Sequence, residues 1–459
     1  MKKRTRIEHD SMGEVVLPES ALYGPQTQRA LNNFTISDQK MDIRFIRSLL
    51  LIKRAAAEAN GKLGLLDPEK ADAIIKAIDR LEKDEMMVHF PVPVLQTGSG
   101  TSTNMNANEV ISRSAALEGI AVSPNDEVNM GQSSNDVIPS AMHISSAVQI
   151  NDEVIPALEA LIEIIEATAQ SHHQVVKTGR THLMDALPIR LAHELKAWSS
   201  QLDDNVNRLK SSLSRLKKVP LGGTAVGSGV NCAPGFVETT LAALNKHSLV
   251  EFEQLDSAYK GLSSIDTVLE TSGHLKTCAV TLMKIANDLR WMNSGPHSGL
   301  AEIRLKPLQP GSSIMVDKVN PVIPEAVCMA AARVIGNDLS ITIAAQSGNF
   351  QLNTMLPLAA SDLLNSGELI ANASLSLGQK AIGSMEVLRE HMEDPLSKNP
   401  VLITSLTPHI GYMKAAAIAK KAREENRPLL EVAEQESELD HELLLKLLDP
   451  GYLADGGKD

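Results

Sequence analysis

Residues 311–320 read Gly-Ser-Ser-Ile-Met-Val-Asp-Lys-Val-Asn. Two hydroxyls, a glycine, a cation and an amide stand within one polar segment, which runs through Pro321 to Glu325 into an apolar helical pattern. Glycine lets backbone N–H groups turn toward a ligand. Ser312 or Ser313 can give up or take a proton, and Lys318 with Asn320 can hold a carboxylate. The competing reading is a mobile surface loop ahead of a helix, because short motifs carry false matches.

Four other loops are more polar and glycine-rich than connectors need to be. Thr97-Gly-Ser-Gly-Thr101, followed by Asn104, offers hydroxyls at Ser99 and Thr101. It lacks the lysine of a phosphate-binding P-loop, and its plain alternative is a flexible turn. Gln132-Ser-Ser-Asn-Asp136 supplies the hydroxyls of Ser133 and Ser134 and the amide of Asn135; such a run usually caps a helix. Thr178-Gly-Arg-Thr-His182 gives a Thr181–His182 pair ahead of an apolar segment, although one histidine among 13 is more often structural. Leu221-Gly-Gly-Thr-Ala-Val-Gly227 reads as a close-packing turn. Together the loops supply Ser, Thr, Asn, His and Lys, with few Arg. That set suits a small carboxylate held by neutral donors and one or two cations, and it can stabilise charge that develops in a transition state.

The elements that must position these loops are helical. Apolar residues make up 43% of the 459 residues but aromatics only 3%, so the core is packed with Leu, Ile, Val, Ala and Met. That favours helix on helix over a β-sandwich. From Leu191 the apolar positions Leu195, Trp198, Leu202, Val206, Leu209, Leu213 and Leu216 step by three and four, a long helix with a narrow stripe, ended by Pro220. Val154, Leu158, Leu161 and Ile165 mark a second helix, in which Pro156 predicts a kink or a late start. A third runs from Leu275 through Leu282 and Leu289 to Met292, and two more cover roughly 322–346 and 353–380. Five long helices with short connections predict an elongated bundle. Residues 47–61 and 67–82 read as earlier helices, and 91–100 and 123–136 as loops. Asn399-Pro400 breaks the chain ahead of smaller helices at 412–424, 428–435 and 437–447. The predicted division is an N-terminal domain at 1–136, a central helix-bundle domain at 137–388 and a small helical C-terminal domain at 389–459, in a mainly α fold.

The net charge of −12 repels nucleic acid and anionic membrane, so neither is expected as a partner. A dianionic ligand then needs a site that is locally positive or rich in N–H donors. Cys232, Cys278 and Cys328 are widely spaced, odd in number and form no CxxC. They predict buried, reduced thiols in a cytoplasmic protein, with no disulfide or metal role. Met-Lys-Lys-Arg-Thr-Arg leads into Ile-Glu-His-Asp, not an apolar stretch, so no signal peptide is expected. No run of about 18 apolar residues occurs, which predicts no membrane span.

In this order the motifs resemble those of the fumarase/aspartase superfamily, and within it the class II, iron-independent fumarases. The likeness runs from Met12-Gly-Glu and Tyr23-Gly-Pro-Gln-Thr-Gln-Arg29, through every loop above, to Pro408-His-Ile-Gly-Tyr412. The superfamily pattern G-S-x-x-M-x-x-K-x-N is met in full at 311–320. The resemblance implies a three-domain, mainly α subunit with a central long-helix bundle. It implies a homotetramer whose active sites draw loops from three subunits. Substrate-site positions are then Ser99, Thr101, Asn104, Ser133, Ser134, Asn135, Thr181, His182, Lys318 and Asn320. Ser312 matches the proposed base, and Glu325 the carboxylate that pairs with the site histidine. The implied reaction is reversible addition of water to fumarate, giving L-malate through an aci-carboxylate, with no metal and no cofactor. In the malate direction Ser312 takes the C3 proton, loop donors and Lys318 stabilise the charge, and His182, oriented by Glu325, serves the departing water. Loop N–H groups and Lys318 are expected to lower the pKa of Ser312.

Three places depart from the usual pattern. Val316 and Asp317 stand where family loops carry Pro-Gly or Pro-Ala, which removes a rigid turn and sets a carboxylate beside Lys318. The family's His-Pro-Asn-Asp reads Ser123-Pro-Asn-Asp126, so a secondary site there is not expected. Ser-Gly-Pro-Arg reads Ser294-Gly-Pro-His297. Aspartate ammonia-lyase is the alternative activity, favoured by Asn320-Pro-Val-Ile-Pro-Glu325 and Asn106-Ala-Asn-Glu109. Gln132-Ser-Ser-Asn135, Ser347-Gly-Asn-Phe350 and His409-Ile-Gly-Tyr412 favour fumarase. A non-catalytic superfamily member is the third reading.

Overall fold

A computed structural model describes residues 4–83 and 86–457. The chain is mainly α and divides into two compact units, each drawn from separated stretches of sequence. The first takes residues up to Pro156, Val206–Ala279 and Ala331–Ala371; the second takes Ala157–Asn205, Val280–Ala330 and residues from Asn372 onward.

In the first unit the helix Ile43–Lys62 buries Phe45, Ile46, Leu49, Leu50 and Ile52 against Pro68–Leu81, Ser134–Gln149 and Phe236–Asn245. Its N-terminus is closed by Asp42, whose side chain accepts from Arg44 N at 2.7 Å. An antiparallel hairpin, Thr5–Asp10 with Gly13–Pro18, precedes the helix Pro25–Asn33. Glu109, on the helix Thr101–Ala116, sits at that helix's N-terminus. It accepts from the backbone N–H groups of Gly24, Gln26 and Thr27 and from Thr27 Oγ1 at 2.6–3.1 Å. A carboxylate there satisfies orphan donors and complements the helix dipole. Arg29 closes the same corner on Asp10 at 2.7 and 2.9 Å. The Tyr23–Arg29 and Asn106–Glu109 motifs therefore hold the N-terminal fold together.

Pro156 acts earlier than its own position. The chain stays helical from Ser134 to Ser171, but a π turn spans Ile150–Val154, and Ile155 N–H reaches back to Ile150 O. Proline removes one N–H and crowds the carbonyl four residues before it, and the wider turn relieves both.

In the second unit the hairpin Val176–Thr181 with Met184–Arg190 leads into the helix Leu191–Leu216. The C-terminal helices Tyr412–Glu424, Leu429–Glu436 and His441–Leu447 gather Leu402, Leu406, Ile418, Val432 and Leu444 into a small core of their own. Asn399 caps the 3₁₀ segment Pro400–Leu406, and its Nδ2 donates to Ala186 O on the hairpin at 3.2 Å.

The helix Leu191–Leu216 falls where the three-and-four spacing puts it, and Val322–Gln346 and Tyr412–Glu424 match the ranges read from the sequence. Asp266–Met292 starts earlier than its apolar stripe suggested. Both hairpins escaped the sequence reading, because they are short and their alternation is interrupted. Val322–Gln346 is long and apolar enough, by length and composition, to cross a membrane. It nevertheless carries Asp338, which is buried and accepts from Ser272 Oγ at 2.8 Å and Lys276 Nζ at 2.6 Å. Among the cysteines only Cys278 is buried; Cys232 and Cys328 are half-buried, and all three are free.

His143 is buried in the helix Ser134–Gln149, with Nδ1–H donating to Lys218 O at 2.8 Å. Burial pushes its pKa down to about 4 from an ordinary 6.5. The unfolded chain therefore binds the proton first, and stability is lost as pH falls from 6.5 toward 4. The loss is on the order of 3 kcal/mol. Urea unfolding at pH 7.5 and pH 4.5 is expected to show this loss, and His143→Gln is expected to flatten it. An unchanged pH difference in that variant would contradict the assignment.

Candidate functional site

The first unit carries Ser99, Thr101, Asn104 and the Ser133–Asn135 turn. Ser99 Oγ and Thr101 Oγ1 share a hydrogen bond of 2.8 Å at the start of the helix Thr101–Ala116. Three residues on, the buried Asn104 donates from Nδ2 to Ser134 Oγ at 3.0 Å and to Asn129 Oδ1 at 3.1 Å. Ser133 caps the helix Ser134–Gln149 in a capping box with Asp136. The buried Asp136 carboxylate accepts from Ser133 N at 2.9 Å, Gly222 N at 3.0 Å and Thr224 N at 2.9 Å. Burial pushes its pKa up to about 6, against the lowering effect of those N–H groups. Asn135 Nδ2 donates to Ala225 O at 2.8 Å. The Leu221–Gly227 turn thus braces the Ser133–Asn135 turn.

Sequence reasoning missed the layer beneath. Lys53 is fully buried on the helix Ile43–Lys62 and donates to Asn129 Oδ1 at 3.0 Å and Gln132 Oε1 at 2.9 Å. Burial pushes its pKa down to about 7. Asn108 adds a third donor to Asn129 Oδ1 at 3.2 Å. The available signal was position: Lys53 stands one helical turn after Leu49, on the stripe that also holds Ile46 and Ala56. A lysine on an apolar stripe needs polar partners.

The second unit carries Thr181, His182, Ser312, Lys318, Asn320 and Glu325. Thr181 pairs with Met184 across the hairpin, so His182 and Leu183 form its two-residue turn, with φ of 56° and 61°. Such a turn normally takes Asn or Gly, and here the strand below it is anchored. Glu302, 2% exposed, accepts from Lys177 Nζ and Arg180 Nη1, each at 2.6 Å, while Lys177 also reaches Glu194 at 2.7 Å. This buried cluster fixes the base of the hairpin, and Thr181 and His182 stand exposed at its tip.

The 311–320 loop closes on itself. Asn320 Nδ2 donates to Gly311 O, and Lys318 Nζ donates to Asn320 Oδ1 at 2.6 Å. A Cβ on Gly311 would lie 1.7 Å from Lys318 O, so only glycine fits. Ser312 Oγ accepts from Met315 N at 2.9 Å and Ile314 N at 3.3 Å. N–H donors on a hydroxyl oxygen stabilise its ionised form. Lys318 Nζ, by contrast, is turned to Asn320 Oδ1 and not to Ser312 among the described residues. Asp317 adopts φ 62°, the left-handed region. Glycine is the residue this region favours, and a side chain there costs roughly 1–2 kcal/mol, with Asp among the better-tolerated residues. No ion pair joins Asp317 and Lys318 among the described residues.

A cavity of about 660 Å³ brings Lys318, Asn320 and Glu325 together with Asp317, Arg290 and Arg304. Its three cations, Arg290, Arg304 and Lys318, face two carboxylates, Asp317 and Glu325, and Arg304 is also paired with Glu386. Ser312, Thr181 and His182 are not part of its wall.

The sequence from residue 13 to 336 matches the family model described as lyase, and residues 402–454 match the fumarase C C-terminus. The chain is 53% identical over 454 residues to fumarate hydratase class II 2 of Pseudomonas aeruginosa, covering 99% of each protein. The chain belongs to the class II fumarase family. Fumarate hydratase class II of Mycobacterium tuberculosis is 46% identical over 425 residues, 92% of this chain and 90% of that protein. Among solved structures, recombinant class II fumarase from Schistosoma mansoni superposes with a TM-score of 0.94 at 36% identity, over 98% of this chain and 99% of that one. Native fumarate lyase:delta crystallin from Brucella melitensis gives 0.89 at 40% identity, over 97% and 100%.

Glu302→Ala would leave Lys177 and Arg180 facing an empty buried slot. Removing one partner of a buried ion cluster costs about 3–5 kcal/mol. Denaturant unfolding is expected to show that loss, whereas Arg304→Ala, whose ion pair with Glu386 is exposed, is expected to change stability by under about 1 kcal/mol.

Proposed function

We propose that the protein catalyses the reversible hydration of fumarate to L-malate. The observation that carries this reading is the self-closed 311–320 loop, with two backbone N–H groups on Ser312 Oγ and Lys318–Asn320 beside Glu325 on one cavity wall. In the malate direction Ser312 takes the C3 proton, and the electron pair moves into the adjacent carboxylate. Lys318, Asn320 and the hydroxyls of Ser133 and Ser134 stabilise the resulting aci-carboxylate. The C2–O bond then breaks, and the hydroxyl leaves as water with a proton from His182, oriented by Glu325. Ser99, Thr101, Asn104, Asn135 and Thr181 shape the rest of the dicarboxylate site.

Because the proposed residues fall into two compact units and His182 stands exposed on a hairpin tip, we place the complete site in a homotetramer, where copies of the chain supply the missing walls. Support comes from apolar side chains left exposed on Val322–Gln346, namely Met329, Ile335, Leu339 and Ile343, and on the hairpin at Leu183 and Met184. Such a surface calls for a partner. Three free cysteines suit a reducing compartment, and we propose the cytoplasm. The role of Glu109 as a helix cap removes one argument for the aspartate ammonia-lyase alternative, since Asn106–Glu109 is explained by the fold.

Purified protein is expected to release fumarate from L-malate, with a chelator present, and not from L-aspartate. Fumarate with ammonia from aspartate alone would overturn the reading. Ser312→Ala is expected to lower kcat at least 100-fold while the assembled species persists by light scattering. Near-normal turnover in that variant would remove Ser312 as the base.

A further inference from the structure

Lys53 is a fully buried cation without a carboxylate at ion-pair distance among the described residues. Burying an ammonium is costly, so its retention on an apolar helix stripe calls for an account. Both its bonds go to side-chain amide oxygens, Asn129 Oδ1 and Gln132 Oε1. An ammonium donates and never accepts, and the neutral amine that burial favours still has two N–H groups for these two oxygens. Its presence fixes which end of each amide faces inward, and the consequence propagates.

Asn129 must present its oxygen to Lys53, so Asn104 and Asn108 must meet that oxygen with their Nδ2 groups, at 3.1 and 3.2 Å. Asn129 Nδ2 turns the other way and donates to Gln132 O at 3.1 Å. Asn104 Nδ2 carries two hydrogens. One goes to Asn129, and the other goes to Ser134 Oγ at 3.0 Å. Ser134 Oγ is thereby an acceptor from within, and its own O–H is not engaged by any described residue. Ser134 is half-buried, so its hydroxyl hydrogen is left for something outside the chain of bonds. Asn104 Oδ1 and Asn108 Oδ1 are buried with no partner among the described residues, as expected if both amides are held in this sense at some cost.

We propose that Lys53 is a positioning residue that sets the direction of a hydrogen-bond chain through Asn129 and Asn104, so that Ser134 offers its hydroxyl hydrogen to a carboxylate of the substrate. The inference rests on the reading of Ser134 as a dicarboxylate contact. Lys53 touches no substrate; it acts through two amides. Without it the amides can turn over, Ser134 can spend its hydrogen inward on an amide oxygen, and the anion meets a lone pair in place of a donor.

The test uses Lys53→Met, which keeps the length of the side chain and removes both donors, and Lys53→Arg, which restores a donor-only cation. KM for L-malate and the dissociation constant of succinate, a non-reacting dicarboxylate, are measured for each. Lys53→Met is expected to raise both about tenfold, a difference of about 1.4 kcal/mol, and to lower kcat as well, because the same Ser134 hydroxyl also stabilises the aci-carboxylate. Lys53→Arg is expected to recover most of the affinity. Adding Ser134→Ala to Lys53→Met is expected to cost little more than either change alone, because both remove the same donated hydrogen. Unchanged KM and succinate affinity in folded Lys53→Met would overturn the proposal, as would full additivity in the double variant. Should Lys53→Met fail to fold, Lys53→Gln can donate or accept and so leaves the direction unset; the same rise is expected, and wild-type affinity in it would overturn the proposal. Absence of malate turnover in the unaltered protein would instead overturn the functional reading itself.

Discussion

The Asp136 carboxylate is the point on which the first unit's polar loops depend. It lies in the first turn of the helix Ser134–Gln149, fully buried, and receives three backbone N–H groups from two separate loops. A buried carboxylate without donors would cost far more than any loop contact returns. With them, the Ser133–Asn135 turn and the Leu221–Gly227 turn are fixed by one group. The hydroxyls of Ser133 and Ser134 inherit their place from that constraint. Lys53 completes the arrangement from the other side, where it holds Gln132 and Asn129 by their oxygens.

The second unit solves the corresponding problem with charge. Glu302 gathers Lys177 and Arg180 beneath a hairpin whose two-residue turn is made of histidine and leucine in left-handed backbone. Neither residue chooses that conformation by itself. The ion cluster over-determines the strand, so the tip is held where the turn chemistry alone would not hold it. His182 is thus presented on a rigid stem, with its side chain exposed.

The 311–320 loop shows how a departure from a family pattern can be absorbed. Asp317 occupies a backbone region where glycine is the natural occupant, yet the loop still closes through Gly311, Lys318 and Asn320. Closure depends on backbone contact at Gly311 and on the Asn320 amide, neither of which involves positions 316 and 317. The replacement of Pro-Gly or Pro-Ala by Val-Asp therefore alters the strain of the loop and the charge beside Lys318, and leaves its closing bonds in place.

The long helices were legible in the sequence because an apolar stripe at three-and-four spacing is a one-dimensional property, and Leu191–Leu216 carries it without interruption. The 311–320 motif and the other polar loops were legible for the same reason, as residue types in order. The hairpin that carries His182 was not, since its stability lies in Glu302 and Asn399, which are more than a hundred residues away from the strands they hold. Lys53 was visible only as a misplaced lysine; its partners Asn129 and Gln132 follow from the packing of a polar loop against the helix Ile43–Lys62. Residue identity and local period determined the helices and named the chemistry. Direction determined the rest: which oxygen accepts, which N–H donates and which φ is left-handed are set by neighbours distant in sequence, and only the tertiary structure decides them.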